Sequence, residues 1–315
     1  MMSTSKSNLR LLTLNAIFVS IAIHAHTQTA TAEDARGNTA SWEVEVHKDV
    51  AYLGGDRQEK LDLYMPQRKE SESANARRPA IVIIHGGGWH GGDKAAGREQ
   101  NVGKTLAAAG YVCASINYEL CPKSDSIAER LNNIWPRNLH DCKTAVRYLR
   151  AHANEYEINP SRIGAIGGSA GGHLVAMLAV TDREDGLDPD GPYSEFSCRI
   201  QAAVPMYGVH DVVAQAKVKH QLEGMSVPDR QLCRAASPIT YITSDDPPAL
   251  ILHGTKDALV PTEQSQILYD SLSKTKVDAT LHIIEGVPHS FHLQPKQEDL
   301  RATVIAFFDR HLRGD

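Results

Sequence analysis

Ser169 lies in Gly167-Gly168-Ser169-Ala170-Gly171, a G-x-S-x-G sequence, and a serine so placed can attack an acyl carbon. A serine hydroxyl is a weak nucleophile, so it needs a base to take its proton and an acidic group to orient that base. Two downstream residues fit those roles. Asp257 follows the apolar run Ala249 to His253 in His253-Gly254-Thr255-Lys256-Asp257, and His289 closes Gly286-Val287-Pro288-His289 after the run Ala279 to Ile284. The chain order Ser, Asp, His is one of the known orders for this triad. A fourth element is His85-Gly86-Gly87-Gly88-Trp89, directly after Ala80-Ile81-Val82-Ile83-Ile84. Glycines there let backbone N–H groups turn toward a developing oxyanion. The amides of Gly87 and Gly88, with that of Ala170, are the candidate oxyanion hole.

Other residues compete for these roles. Asp245 and Asp246 precede their apolar run, which puts them at the wrong end of a strand. His292 is three residues past His289 and ranks second as base. His173, one turn beyond Ser169, reads as a packing or hydrogen-bonding residue. A metal site of His85, His90 and Asp93 lacks helix-based ligand spacing, so no metal is expected.

The elements that must hold these residues follow from hydrophobic patterning. Trp42, Val44 and Val46 alternate with charged residues, Gly54-Gly55-Asp56 forms a turn, and Leu61, Leu63 and Met65 alternate again. That pattern predicts an opening antiparallel hairpin. Ala80–Ile84 is a continuous apolar run, the mark of a strand covered on both faces, and Tyr111–Ile116, Arg162–Gly167, Ile200–Met206, Ala249–His253 and Ala279–Ile284 also read as strands. Between them 101–109, 139–154, 170–180, 262–273 and 298–312 read as helices. Repeated strand–helix units imply an α/β fold with a mainly parallel central sheet. One domain over 33–315 is expected, with a small polar insertion around 208–247, most simply a surface connection.

The chain has 315 residues, 42% hydrophobic and 23% charged, with a formal charge of -5 and no basic stripe. Nucleic acid is therefore not an expected partner. Lys6 and Arg10, the apolar stretch Leu11 to Ile23, and Ala30-Thr31-Ala32 form a signal-peptide pattern over 1–32. Its core is shorter than the ~20 residues of a membrane span. The protein is thus expected to be exported, periplasmic or secreted, with no membrane association once the signal is removed. Cys113, Cys121, Cys142, Cys198 and Cys233 are odd in number and show no CxxC spacing, so at least one thiol is free or paired between chains.

HGGGW, GGSAGGHL, HGTKDALVP and GVPHSF together resemble the esterase branch of the α/β-hydrolase superfamily over about residues 43–313. The nearest resemblance is to the bacterial feruloyl- and acetyl-esterase-like (BD-FAE-like) group. Hormone-sensitive-lipase-like esterases are more distantly similar: they share HGGG but usually carry Asp where this chain has Gly168. The resemblance implies the α/β-hydrolase fold and a serine carboxylic-ester hydrolase without cofactor. Its substrates would be short-chain or aromatic acyl esters, such as acetyl or feruloyl groups on polysaccharide. The stretch 207–247 contains no Phe or Trp and no sustained apolar face, which argues against a lid over a long acyl groove. An amide hydrolase with the same triad, either a formamidase or a small exopeptidase, is the alternative. A non-catalytic binding module on the same fold is a remote one.

Overall fold

The computed structural model describes residues 26–28, 42–68 and 76–314. Most of the 1–32 signal pattern therefore lies outside the described residues. His26–Gln28 form a short strand, β1, that pairs antiparallel with β2 (Val44–Ala51) at the sheet edge. Cleavage after Ala32 would remove it.

β2 and β3 (Lys60–Pro66) form the antiparallel hairpin, and β3 pairs antiparallel with β5 (Val112–Ile116). From there the sheet is parallel through β4 (Arg78–Ile84), β6 (Ile158–Gly168), β7 (Ala202–Met206), β8 (Ala249–Lys256) and β9 (Ala279–Pro288). The spatial order is β1-β2-β3-β5-β4-β6-β7-β8-β9. Order reverses around β4, which has β5 on one side and β6 on the other; at such a switch point an open α/β sheet leaves a crevice beyond its strand ends.

Successive side chains of a strand point to opposite faces, and β4 shows why a continuous apolar run is required. Ile81 and Ile83 pack on the face covered by α1 (Gly97–Ala108) and α8 (Arg301–Phe308), with Leu106 and Phe308. Ala80, Val82 and Ile84 pack on the other face, with Leu139, Val146 and Leu174 from α3 (Arg137–Ala151) and α4 (Ala170–Val180). α7 (Glu263–Lys274) adds Leu268 and Leu272 beside Ile251 on β8. No described helix is long and apolar enough to cross a membrane. All five cysteines are buried free thiols, and Cys113 is a small apolar filler of β5.

Three helices stand apart from the sheet-covering layers: α2 (Ile127–Ile134), α5 (Val212–Val218) and α6 (Val227–Ala235). The last two occupy the expected insertion. That segment is more than a surface connection, because Val212, Gln215, Ala216 and Cys233 are buried against the core. Each of the three helices starts on a side-chain cap: Ser126 accepts from the Glu129 N–H, Asp211 from Ala214 and Ser226 from Asp229. Such a cap satisfies an N–H that a helix start leaves orphaned, which lets short polar helices hold.

Candidate active site

Ser169 stands between β6 and α4 with φ 57° and ψ -121°, its N–H bonded to the Met206 carbonyl at 2.9 Å. The turn is possible because strand and helix nearly touch: a Cβ on Gly171 would lie 2.0 Å from the Ile84 carbonyl oxygen. This sharp corner lifts the serine hydroxyl above the C-terminal edge of the sheet.

Asp257 follows β8 directly and His289 follows β9 directly, so the ends of adjacent parallel strands deliver both to the same edge. Ser169 Oγ donates to His289 Nε2 at 2.9 Å, and His289 Nδ1 donates to Asp257 Oδ2 at 2.5 Å. A carboxylate can only accept, so this contact fixes the proton on Nδ1 and leaves Nε2 free to receive one. The Asp257 side chain is 1% exposed and that of His289 10%. Burial works against the Asp257 charge. Hydrogen bonds from His253, His289 and the Val260 N–H, with the His289 charge, outweigh it and hold the carboxyl well below the usual range.

Asp257 has further partners. Oδ1 accepts the N–H groups of Leu259 and Val260, each at 2.9 Å, and Oδ2 also faces His253 Nε2 at 3.2 Å. Both partners of that nitrogen, Asp257 and the Val260 carbonyl at 3.0 Å, are acceptors, so His253 carries its proton there. Its Nδ1 accepts from Ser265 Oγ at 2.7 Å. His253 stands in the HGTKD motif, yet sequence reasoning gave it no role. The available signal was its i,i+4 spacing from Asp257 across the turn that ends β8.

Tyr207 was also missed. Its ring packs edge-on against His289 at 4.9 Å between centroids, and its hydroxyl donates to the Phe291 carbonyl at 2.8 Å. Arg98 Nη1 donates to the Tyr207 hydroxyl oxygen at 2.9 Å, and burial pushes the phenol up to about 12. A Cβ on Gly168 would lie 2.3 Å from the Tyr207 hydroxyl, a physical reason for glycine before this serine.

Gly87 and Gly88 adopt φ 120° and 60° and border the same cleft as Ser169 and Ala170. A Cβ on Gly87 would lie 2.1 Å from the Gly91 carbonyl oxygen. No acceptor among the described residues takes the Gly87 or Gly88 amide, and the N–H of Ala170, first in α4, is an orphan of the helix start. The loop is braced from behind. Trp89 Nε1 donates to His173 Nδ1 at 3.2 Å, and His173 Nε2 donates to the Ala236 carbonyl at 2.7 Å. His85 stacks on Tyr118 at 4.3 Å and donates Nδ1–H to the Gly86 carbonyl at 2.7 Å. Burial pulls both histidines down to about 4, so both are neutral supports.

The remaining candidates lie elsewhere. His292 accepts the Gln294 N–H through Nδ1 at 2.9 Å, and Asp245 and Asp246 both bond Thr243 in the turn before β8. Among the described residues no group of three or more His, Cys, Asp or Glu could hold a metal ion.

The cleft above Ser169 has a volume of about 610 Å³. Trp89, Ile127, Val209 and Leu259 line it with apolar surface, and Arg130, Lys219 and Gln221 add polar groups. Its outer wall is α2 and the 208–221 stretch, stitched together by Gln221. The Gln221 side chain accepts from the Ile127 N–H at 2.9 Å and donates to the Asp125 carbonyl at 2.6 Å. Sequence reasoning did not find α2, whose signal was the Ser126-x-x-Glu129 cap.

The family model BD-FAE matches residues 61–272. The probable carboxylic ester hydrolase LipM of Mycobacterium tuberculosis is 32% identical over 78% of this chain and 56% of its own. The chain thus spans a little over half the length of that curated relative. A solved structure described as a truncated carbohydrate esterase from gut microbiota is 26% identical, with TM-score 0.72 over 88% of this chain and 99% of its own. Thermogutta terrifontis esterase 2, solved as phosphorylated by paraoxon, is 27% identical with TM-score 0.62, over 89% and 96% of the two chains.

Proposed function

Because the chain belongs to the BD-FAE family, we propose that it is a serine carboxylic-ester hydrolase acting on short-chain or aromatic acyl esters, acetyl or feruloyl groups on saccharides foremost. One observation carries this reading: the hydrogen-bonded line from Ser169 Oγ through His289 to Asp257, in the cleft bordered by the Gly87, Gly88 and Ala170 amides. Ser169 attacks the ester carbonyl as His289 Nε2 takes its proton, and Asp257 stabilises the imidazolium so formed. The three amides hold the tetrahedral oxyanion. His289 then gives the proton to the leaving alcohol. A water repeats the sequence on the acyl-enzyme and frees the acid.

The substrate class rests on two supports. The named carbohydrate esterase is similar over nearly its whole length. The wall over the cleft is made of short capped helices with polar side chains, unsuited to covering a long alkyl chain. We further propose export, on the pattern of Lys6, Arg10, Leu11 to Ile23 and Ala30 to Ala32; N-terminal sequencing of protein recovered outside the cytoplasm checks it.

The central test is Ser169→Ala on a panel of esters and amides. kcat on p-nitrophenyl acetate should fall ~10⁴-fold or more with the fold intact. A fluorophosphonate should label the wild type at Ser169 and spare the variant. Persistent labelling would move the nucleophile elsewhere, and faster turnover of aminoacyl amides than of acetyl esters would favour the amidase alternative.

A further inference from the structure

Two cations of the cleft form no ion pair with a described carboxylate. Arg130 is half-buried on α2, and its Nε is anchored on the Ser124 carbonyl. Its Nη1 reaches the Gly88 carbonyl at 3.4 Å, and a Cβ on Gly88 would lie 3.0 Å from that nitrogen. The guanidinium therefore lies against the loop that borders Ser169, while Nη2 has no hydrogen-bond partner among the described residues. Lys219, exposed on the same outer wall, lines the same cleft, and its ammonium bonds no described group. Asp125 is the one carboxylate of the lining, and neither cation is within ion-pair distance of it or of any other described carboxylate. The most deeply buried cations are paired, Lys94 on Asp62, Arg98 on Glu99, and Lys143 and Arg147 on Asp188, whereas Arg150 is saturated by the Pro160, Ser197 and Arg199 carbonyls and Gln201 Oε1. Holding a partly desolvated guanidinium without a carboxylate is costly, and a ligand anion relieves that cost.

We propose that Arg130, with Lys219 on the same wall, forms a subsite for a carboxylate on the alcohol portion of the ester, so that the preferred substrates are acylated acids, sugar acids foremost. The inference rests on the esterase reading above and names the substrate for the same cleft. The geometry assigns the charge to the alcohol side. An acetyl group fills little of about 610 Å³, and Lys219 stands on the exposed wall, toward which the leaving alcohol must depart. In a chain of formal charge -5, net positive lining of the cleft also steers anionic ligands to it.

The test compares two matched pairs of acetyl esters: 4-acetoxybenzoate against 4-acetoxybenzamide, and an O-acetylated methyl glucuronoside against the corresponding glucoside. In the wild type, kcat/KM should favour the charged member about tenfold or more. Arg130→Gln should bring that ratio to within about twofold of one. Lys219→Gln should lower it by about threefold, and added salt should lower it in the wild type. A preference in both pairs supports the sugar acid, and one confined to the aryl pair supports the anion subsite but overturns the sugar assignment. A wild type indifferent to charge, or a ratio unmoved by Arg130→Gln, overturns the subsite while leaving ester hydrolysis standing. Failure to cleave any of the four esters, with no fluorophosphonate labelling of Ser169, overturns the esterase reading and this one together.

Discussion

The two sides of the cleft differ in how their polar groups are committed. On the strand-end side, Asp257 accepts from His289, His253 and two backbone N–H groups, and His253 is held in turn by Ser265. On the helical wall, Arg130 and Lys219 reach the cleft without a carboxylate partner. The committed side sits on sheet edges whose positions the core dictates. The wall sits on short helices closed by caps and by one glutamine. The triad-side groups are thus fixed by sheet edges and a closed hydrogen-bond set, whereas Arg130 and Lys219 are carried on short helices whose inner faces join the core and whose outer groups stay uncommitted.

The sharpest way to break this contrast is at the base. His289→Ala should cost nearly as much as loss of Ser169, ~10⁴-fold or more in kcat, because such residues act as a unit. His292→Ala should stay within about threefold, since its ring nitrogen serves only the Gln294 N–H. Steady-state rates on p-nitrophenyl acetate decide it, and a dead His292 variant would reassign the base.

Next come the supports of the acid. Asp257→Asn should lower kcat by ~10³- to 10⁴-fold with KM little changed. His253→Leu removes one hydrogen bond to a charged group, worth about 1.5–3 kcal/mol, and should lower kcat about tenfold or more. His253→Gln, which keeps an N–H donor, should recover part of that loss. Equal activity in the two His253 variants would reduce the residue to filler.

The smallest effect concerns the histidines behind the oxyanion loop. The folded-state pKa of His173 is about 4, pulled down by burial, against an ordinary value of 6.5. The unfolded chain therefore takes the proton first, and stability is full above that ordinary value and lost as pH falls toward 4. Over the whole window the loss is about 3 kcal/mol. Urea unfolding of wild type and His173→Gln between pH 6.5 and 4 should show a shallower fall in the variant. Asp141 and Asp246, raised to about 6 by burial, act in the opposite sense but are common to both proteins. Parallel curves would mean that His173 is not kept neutral.

The same division explains what was legible in the sequence. Strands buried on both faces must be continuous apolar runs, so β4 to β8 and their C-terminal ends were readable, and with them the positions of Ser169 and Asp257; β9, the half-exposed edge strand, was readable from its apolar and β-branched residues, and with it His289. The wall was not. α2, α5 and α6 span only seven to nine residues each, too short for a periodicity to stand out in polar sequence even though α2 buries Ile127, Leu131 and Ile134 along one face, and their start signals are single capping residues. Tyr207 and Arg98 escaped for a different reason. They are 109 positions apart and meet only through the packing of α1 beside the end of β7.

The backbone at Ser169 carries one more consequence. With φ 57° and ψ -121°, a side-chain-bearing residue occupies a region that glycine enters at little cost, at a penalty of order 1–3 kcal/mol. Ser169→Gly should therefore fold to a more heat-resistant protein than the active one. The backbone of Ser169 is a standing mechanical load that the surrounding sheet must bear in every folded molecule, whether or not substrate is present.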